Sequence, residues 1–229
     1  MQWADWAPSD AAIRAEFGYS LDADQAAARA LHAIVPATSR FRELGVEVRN
    51  RRNVAVIGAG PSLARTTPSI LEGKVVVAAD GAVTWLREVR VTPHVVVTDL
   101  DGNPDDLVWA AQQGAHMVVH AHGDNRDAIR GLASRLLPQL YGTYQGPPMQ
   151  LEPMRNVGGF TDGDRAVVLC EDLGARQATL VGFDFGAEPS AYSYKWDPKT
   201  KPAKLAWAER IVGQVAARGK MRVELYRPA

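Results

Sequence analysis

Three acidic residues stand where two short apolar runs stop. Val75-Val76-Val77-Ala78 leads into Asp80-Gly81, and Val95-Val96-Val97 leads into Asp99-Leu100-Asp101-Gly102. Val-rich runs this short, without polar alternation, suit strands buried on both faces of a parallel sheet. In open sheets of that kind the ligand sits beyond the carboxyl ends of the strands, so the three carboxylates collect where a site would form. Residues two apart in extended chain share a side. A backbone still extended past Thr98 would therefore aim Asp99 and Asp101 together and Leu100 away. A pair of hard oxygen donors held this way suits a divalent cation, magnesium above the transition metals.

Each acid must be weighed against the simpler task of capping a helix. Asp124, with Asp127 three residues later, fits that task, and so does Asp164 in a capping box with Thr161. Asp162 would fall at the first helical position, where the helix dipole favours it. Asp99 and Asp101 have no such task, because Asn103 already caps the helix that Pro104 opens. His120 and His122, in His-Ala-His, lack a third soft ligand nearby and read as ligand contacts or hydrogen-bonded structural histidines. Gly58-Ala59-Gly60-Pro61-Ser62 begins like a dinucleotide fingerprint, with Asp80 as the ribose acid. Leu63 stands where its third glycine belongs, and that reading leaves Asp99 and Asp101 without work. A broader reading survives, in which the glycine turn and Ser62 cradle phosphate through N–H groups and a hydroxyl; the plain alternative is a tight turn with no ligand.

These groups need a frame. The chain has 229 residues, 46% hydrophobic and 23% charged, enough for a sizeable α/β domain with an appendage. Lys+Arg and Asp+Glu each number 26, so no basic surplus points to nucleic acid or an anionic membrane. Cys170, the only cysteine, lies in an apolar run and reads as a core thiol. No signal peptide and no apolar stretch of ~20 residues is visible, which makes a soluble cytoplasmic protein the default. Residues 1–50 read as a helical segment, with Ser9-Asp10 capping one helix and Asp22 or Asp24 a second that runs to Pro36. It would cover the site or meet a second subunit of a homo-oligomer. Residues 51–229 alternate strand and helix, with strands at Val54–Ile57, Lys74–Ala78, His94–Thr98, His116–Val119, near Gln139–Tyr141, Ala178–Val181 and, at an edge, Val223–Leu225. The expected architecture is a three-layer, wound, mostly parallel α/β sheet. Lys195, Lys199, Lys201 and Lys204 form a basic run in an irregular stretch, either a solvated face or a lid over phosphates.

Taken in order, GAGPSL, AADGA, TDLDG, HAHGDN and NVGGFTDGDRAV resemble the archaeal 6-hydroxymethyl-7,8-dihydropterin diphosphokinases, and FGYSLDADQAAARAL is similar to that family's leader. The resemblance runs from about Trp3 to Lys204. The same acids also resemble those of the thiamin diphosphokinase catalytic domain, except that Gly102 replaces a Ser of that family's acid pair. The resemblance implies a thiamin diphosphokinase-like fold and transfer of diphosphate from ATP to a pterin alcohol with release of AMP. That chemistry belongs to folate- and tetrahydromethanopterin-type cofactor biosynthesis. It further implies magnesium held by Asp99 and Asp101, with Asp80 and Asp162 as further carboxylates. Gly58, Gly60 and Ser62 would hold phosphates with Lys201, Lys204 and Arg165 as cationic help. His120, His122, Asn156, Gly158, Gly159 and Phe160 would face the pterin. Rival expectations are a thiamin diphosphokinase-like enzyme, a dinucleotide-binding oxidoreductase, a glycosyltransferase of the flagellin-glycosylation type, and a nucleotide sensor without turnover.

Overall fold

The computed structural model describes residues 1–228. Seven strands form one sheet in the order β5-β4-β3-β2-β1-β6-β7, every pair parallel. They are β1 (Asn53–Ile57), β2 (Val75–Ala79), β3 (Val95–Thr98), β4 (His116–Ala121), β5 (Leu140–Tyr144), β6 (Gln177–Val181) and β7 (Arg222–Leu225). The expected strand near Gln139–Tyr141 thus runs on to Tyr144, through Gly142, where a Cβ would collide with Met154 and Val35. The order reverses between β1 and β6, which makes their carboxyl ends the switch point of the sheet.

Both faces of the sheet are buried, as the unalternated Val runs predict. Val54, Val56, Val75, Val77, Val95 and Val97 face one layer, with α1 (Trp3–Phe17), α3 (Phe41–Arg51), α7 (Asp162–Asp172) and α8 (Lys201–Ala217). Ala55, Ile57, Val76, Ala78, Val96 and Met117 face the other, with α2 (Leu21–His32), α4 (Ala82–Glu88), α5 (Pro104–Gln112) and α6 (Arg126–Leu132). Cys170 is fully buried, and the loss of solvation pushes its thiol up to about 12. Leu63 is also fully buried, in a 3-10 turn (Pro61–Arg65). A core side chain therefore occupies the place of the third fingerprint glycine.

The N-terminal helices are divided between the two layers, and their starts differ from the sequence expectation. α1 begins at Trp3, with no capping side chain, and carries Ser9 and Asp10 inside it. Trp6 and Ile13, seven residues apart on one helix face, are both buried, so packing sets this helix where no cap does. Its Asp10 accepts from Arg14 Nε at 2.8 Å. The cap of α2 is Ser20, whose hydroxyl accepts from Ala23 N, and Asp24 is turned inward. No helix among the described residues is long and apolar enough to cross a membrane.

Candidate active site

Asp80, Asp99, Asp101 and Asp162 each place one carboxylate oxygen within 4.8 Å of the others. Three of them follow strand ends, and Asp162 opens α7 from the other layer. The route to this meeting is not the extended one. β3 ends at Thr98, and Leu100 adopts φ 70, a left-handed conformation that drops its side chain into the core and turns Asp99 and Asp101 to the same side. Thr98, fully buried, holds the corner: its hydroxyl accepts from Leu100 N at 2.8 Å and donates to Asp80 Oδ1. Asp80 is itself strained, at φ 35. A Cβ on Gly102 would collide with the Asp80 carboxylate, which explains why no serine can stand there without displacing an acid of the group.

The cluster is electrostatically unequal. Burial, then the charges of Asp99 and Asp101, hold the Asp80 carboxyl well above its usual range. Burial and the charges of Asp99, Asp80 and Asp101 do the same to Asp162. Asp101 is raised by burial and by Asp99, with Lys195 pulling it back. Burial opposes ionisation of Asp99 too, but its hydrogen bond with His122, together with bonds from Asp101, outweighs that and brings it to about 2. Asp124 N donates to His122 Nδ1 at 3.3 Å, so Nε2 carries the proton shared with Asp99 Oδ2 at 3.1 Å. His122 also forms the capping box of the following turn, with Asn125, in place of the expected Asp124/Asp127 pair. Asn125 Nδ2 donates to Asp99 O and His120 O, each at 2.7 Å, locking the ends of β3 and β4 together.

Two cavities meet at the acids. The first, of about 200 Å³, lies over the switch point between the Gly58–Pro61 and Gly182–Phe185 turns, α8 and the 187–196 stretch. Lys195, Lys201 and Lys204 line it, with Lys201 Nζ 5.8 Å from the Trp196 ring centre and Lys204 Nζ 6.0 Å from that of Phe160. Ser190 and Ser193 donate to Ala59 O at 2.6 and 3.2 Å, so the irregular stretch is tied down as a roof. The second cavity, about 220 Å³, lies beyond Asp99 and Asp162, lined by Tyr19, Asp24, His120, His122, Gln145 and Arg165 among others. Phe160 and Lys204 border both.

Several expected site residues stand elsewhere. Gly58 and Gly60 line the first cavity, yet their N–H groups donate to Val181 O and Gly182 O, and a Cβ on either would strike Gly182. Ser62 N donates to Asp184 Oδ2, and Ser62 is buried outside the lining of either cavity. These glycines serve the close approach of two turns, and the expected N–H cradle is already committed. Asn156 donates to Gly146 O at 2.5 Å and accepts from Gly158 N, and Asn156, Gly158 and Gly159 line neither of these two cavities. Arg165 is buried beside the second cavity, not among phosphate-side groups; its guanidinium donates to Gly158 O, Gly159 O and Phe160 O. It shapes the loop that presents Phe160. Asp164 accepts from Phe160 N and Thr161 N, the expected capping box. Thr98, Asn125 and Gln145 were not among the expected site residues and Asp24 was expected only as a cap; each has a partner far along the chain, Asp80 for Thr98, Asp99 for Asn125, and Gly123 and Gln145 for Asp24.

An all-carboxylate oxygen set suits a hard cation such as magnesium, and the elevated Asp80, Asp101 and Asp162 are those a cation would return to the charged form. Two outcomes follow. Gly102→Ser should lower turnover by ~100-fold or more through displacement of Asp80, with an unchanged circular dichroism spectrum. Asp162→Asn should raise the melting temperature of the metal-free protein at pH 7. A carboxyl with a raised folded value destabilises the fold increasingly as pH climbs from its unfolded value of ~4, and an amide does not. The advantage should vanish near pH 4, which melting curves across pH would record.

Known proteins resemble this chain along nearly its whole length. A profile described as "6-hydroxymethylpterin diphosphokinase MptE-like" matches residues 27–189. A 6-hydroxymethyl-7,8-dihydropterin pyrophosphokinase of Pyrococcus furiosus is 37% identical over 233 aligned residues, covering 97% of this chain and 98% of its own. The Methanothermobacter thermautotrophicus protein of the same name is 39% identical over 219 residues, covering 91% and 93%. That of Methanocaldococcus jannaschii is 32% identical over 203 residues, 84% of each chain. With a family match over most of its sheet and relatives aligned from end to end, this chain belongs to the MptE-like 6-hydroxymethylpterin diphosphokinase family.

Proposed function

We propose that this chain is a 6-hydroxymethyl-7,8-dihydropterin diphosphokinase, transferring the β- and γ-phosphoryl groups of ATP to the pterin hydroxymethyl oxygen. Family membership carries the reaction class, and one structural observation supports the mechanism: the four carboxylates line the first cavity, and two of them, Asp99 and Asp162, also line the second. The acceptor O–H bond breaks and its proton is released to solvent, an O–P bond forms at the β-phosphorus, and the bond from that phosphorus to the α-side bridging oxygen breaks, leaving AMP. Such transfers depend on in-line positioning and on screening of charge more than on a strong base.

In this reading ATP occupies the cavity over the switch point. Gly58 and Gly60 form part of its wall, while Lys195, Lys201 and Lys204 supply positive charge. The pterin occupies the second cavity, its ring against Phe160, which stands 5.1 Å from Phe17 and 6.2 Å from Tyr19 in an aromatic group. His120 and His122 form the opposite side. Asp99 and Asp101 would hold magnesium, with Asp80 and Asp162 direct or through water, since magnesium takes only one or two carboxylates readily. Bound there, the ion would neutralise charge developing on the transferred phosphates. Lys204, bordering both cavities, holds positive charge at the junction that the diphosphoryl group must cross.

The protein should release AMP, not ADP, from ATP and magnesium when 6-hydroxymethyl-7,8-dihydropterin is added. Asp101→Asn should cut that rate by ~1,000-fold or more while leaving the melting curve cooperative. AMP formed with thiamin alone would retain the chemistry and overturn the substrate. No AMP with either would shift the reading to a glycosyltransferase or a nucleotide sensor.

A further inference from the structure

The N-terminal segment reaches the second cavity through one buried carboxylate. Asp24, 3% exposed, accepts three hydrogen bonds from three different parts of the chain. Arg14 Nη1 of α1 donates at 2.6 Å, Gly123 N of the His-Ala-His-Gly turn at 2.7 Å, and Gln145 Nε2 past β5 at 2.9 Å. The last bond fixes which way the Gln145 amide points, because reversing it would set two oxygens against each other. Gln145 Oε1 then faces His120 Nε2 at 3.3 Å, so that ring nitrogen is the protonated one. The Thr143 hydroxyl lies 3.0 Å from His120 Nδ1 and 3.2 Å from Val119 O, and with the ring proton on Nε2 its single proton serves Nδ1. Burial, then the charge of Arg165, keep the His120 ring neutral, consistent with a single N–H.

Gln145 is half-buried and lines the cavity. An amide carries two N–H bonds and an oxygen with two lone pairs. Asp24 and His120 use one of each, which leaves one N–H and one lone pair on an amide of fixed polarity. We propose that the Gln145 amide is the element that reads the acceptor ring, taking a heterocycle with an adjacent donor and acceptor on its edge, and that Asp24 is its positioning residue. The 2-amino/N1 edge of a pterin has that pattern, and a 2-oxo ring presents it reversed. The inference rests on the reading that this cavity receives the pterin, and it gives the N-terminal segment a part in substrate choice.

The test is the affinity of the whole protein for 6-hydroxymethylpterin and for its 2-oxo analogue, 6-hydroxymethyllumazine. Both are followed by their own fluorescence without ATP, alongside the Michaelis constant for ATP in turnover. Gln145→Met, close in size, should weaken pterin binding by ~10-fold or more and erase the preference for pterin over lumazine, with the ATP constant within about twofold. Asp24→Asn should shift the same preference in the same direction. A merely structural role would lower both affinities equally and leave their ratio intact. Pterin affinity or selectivity unchanged in Gln145→Met overturns the inference alone. A wild-type protein that binds no pterin overturns the functional reading, and the inference falls with it.

Discussion

Four carboxylates with oxygens inside 4.8 Å repel one another, and a partly desolvated setting strengthens that repulsion. Most features around them follow from the need to hold the group together. The Thr98 hydroxyl donates to Asp80, His122 donates to Asp99, and Asp101 N donates to Asp99 Oδ1 at 3.1 Å. Two residues accept left-handed backbone, Asp80 and Leu100, and Gly102 gives up a side chain so that Asp80 can keep its place. The fold is destabilised locally, at the position where a cation would turn repulsion into attraction.

The sheet explains why the acids have a cavity on either side. Reversal of strand order between β1 and β6 opens a crevice over their carboxyl ends, and the 187–196 stretch and α8 roof it. The second cavity lies beside the ends of β4 and β5. The turn between α1 and α2 comes in there, with Asp24 joining it to Gly123 and Gln145. The two N-terminal helices therefore belong to opposite layers of the sheet while their connection belongs to the site.

Much of this was legible in residue order, for physical reasons that differ by element. Val75–Val77 and Val95–Val97 are apolar on both faces, so the sequence itself states their double burial and parallel pairing. Their ends are marked by acids, so Asp80, Asp99 and Asp101 could be picked out, whereas the place of Asp162 at the start of α7 fits the helix dipole alone and only the family resemblance pointed to it. The means of assembly was not legible. Extended backbone and a left-handed Leu100 bring Asp99 and Asp101 to one side equally well, and local sequence does not choose between them. Gly58 and Gly60 looked like a phosphate turn because the need for bare backbone is the same whether the neighbour is a phosphate or the Gly182 carbonyl. Asp24 looked like a helix cap because an inward turn depends on Arg14, Gly123 and Gln145, the last two about a hundred or more residues away.

The most direct test is a crystal structure with manganese, 6-hydroxymethylpterin and an ATP analogue whose α,β-bridging oxygen is a methylene group. The account predicts an anomalous peak among Asp80, Asp99, Asp101 and Asp162, the nucleotide over the Gly58–Pro61 turn, and the pterin between Phe160 and Gln145 with its hydroxyl facing the β-phosphorus. Manganese bound away from the four acids, or both ligands sharing one cavity, would contradict it.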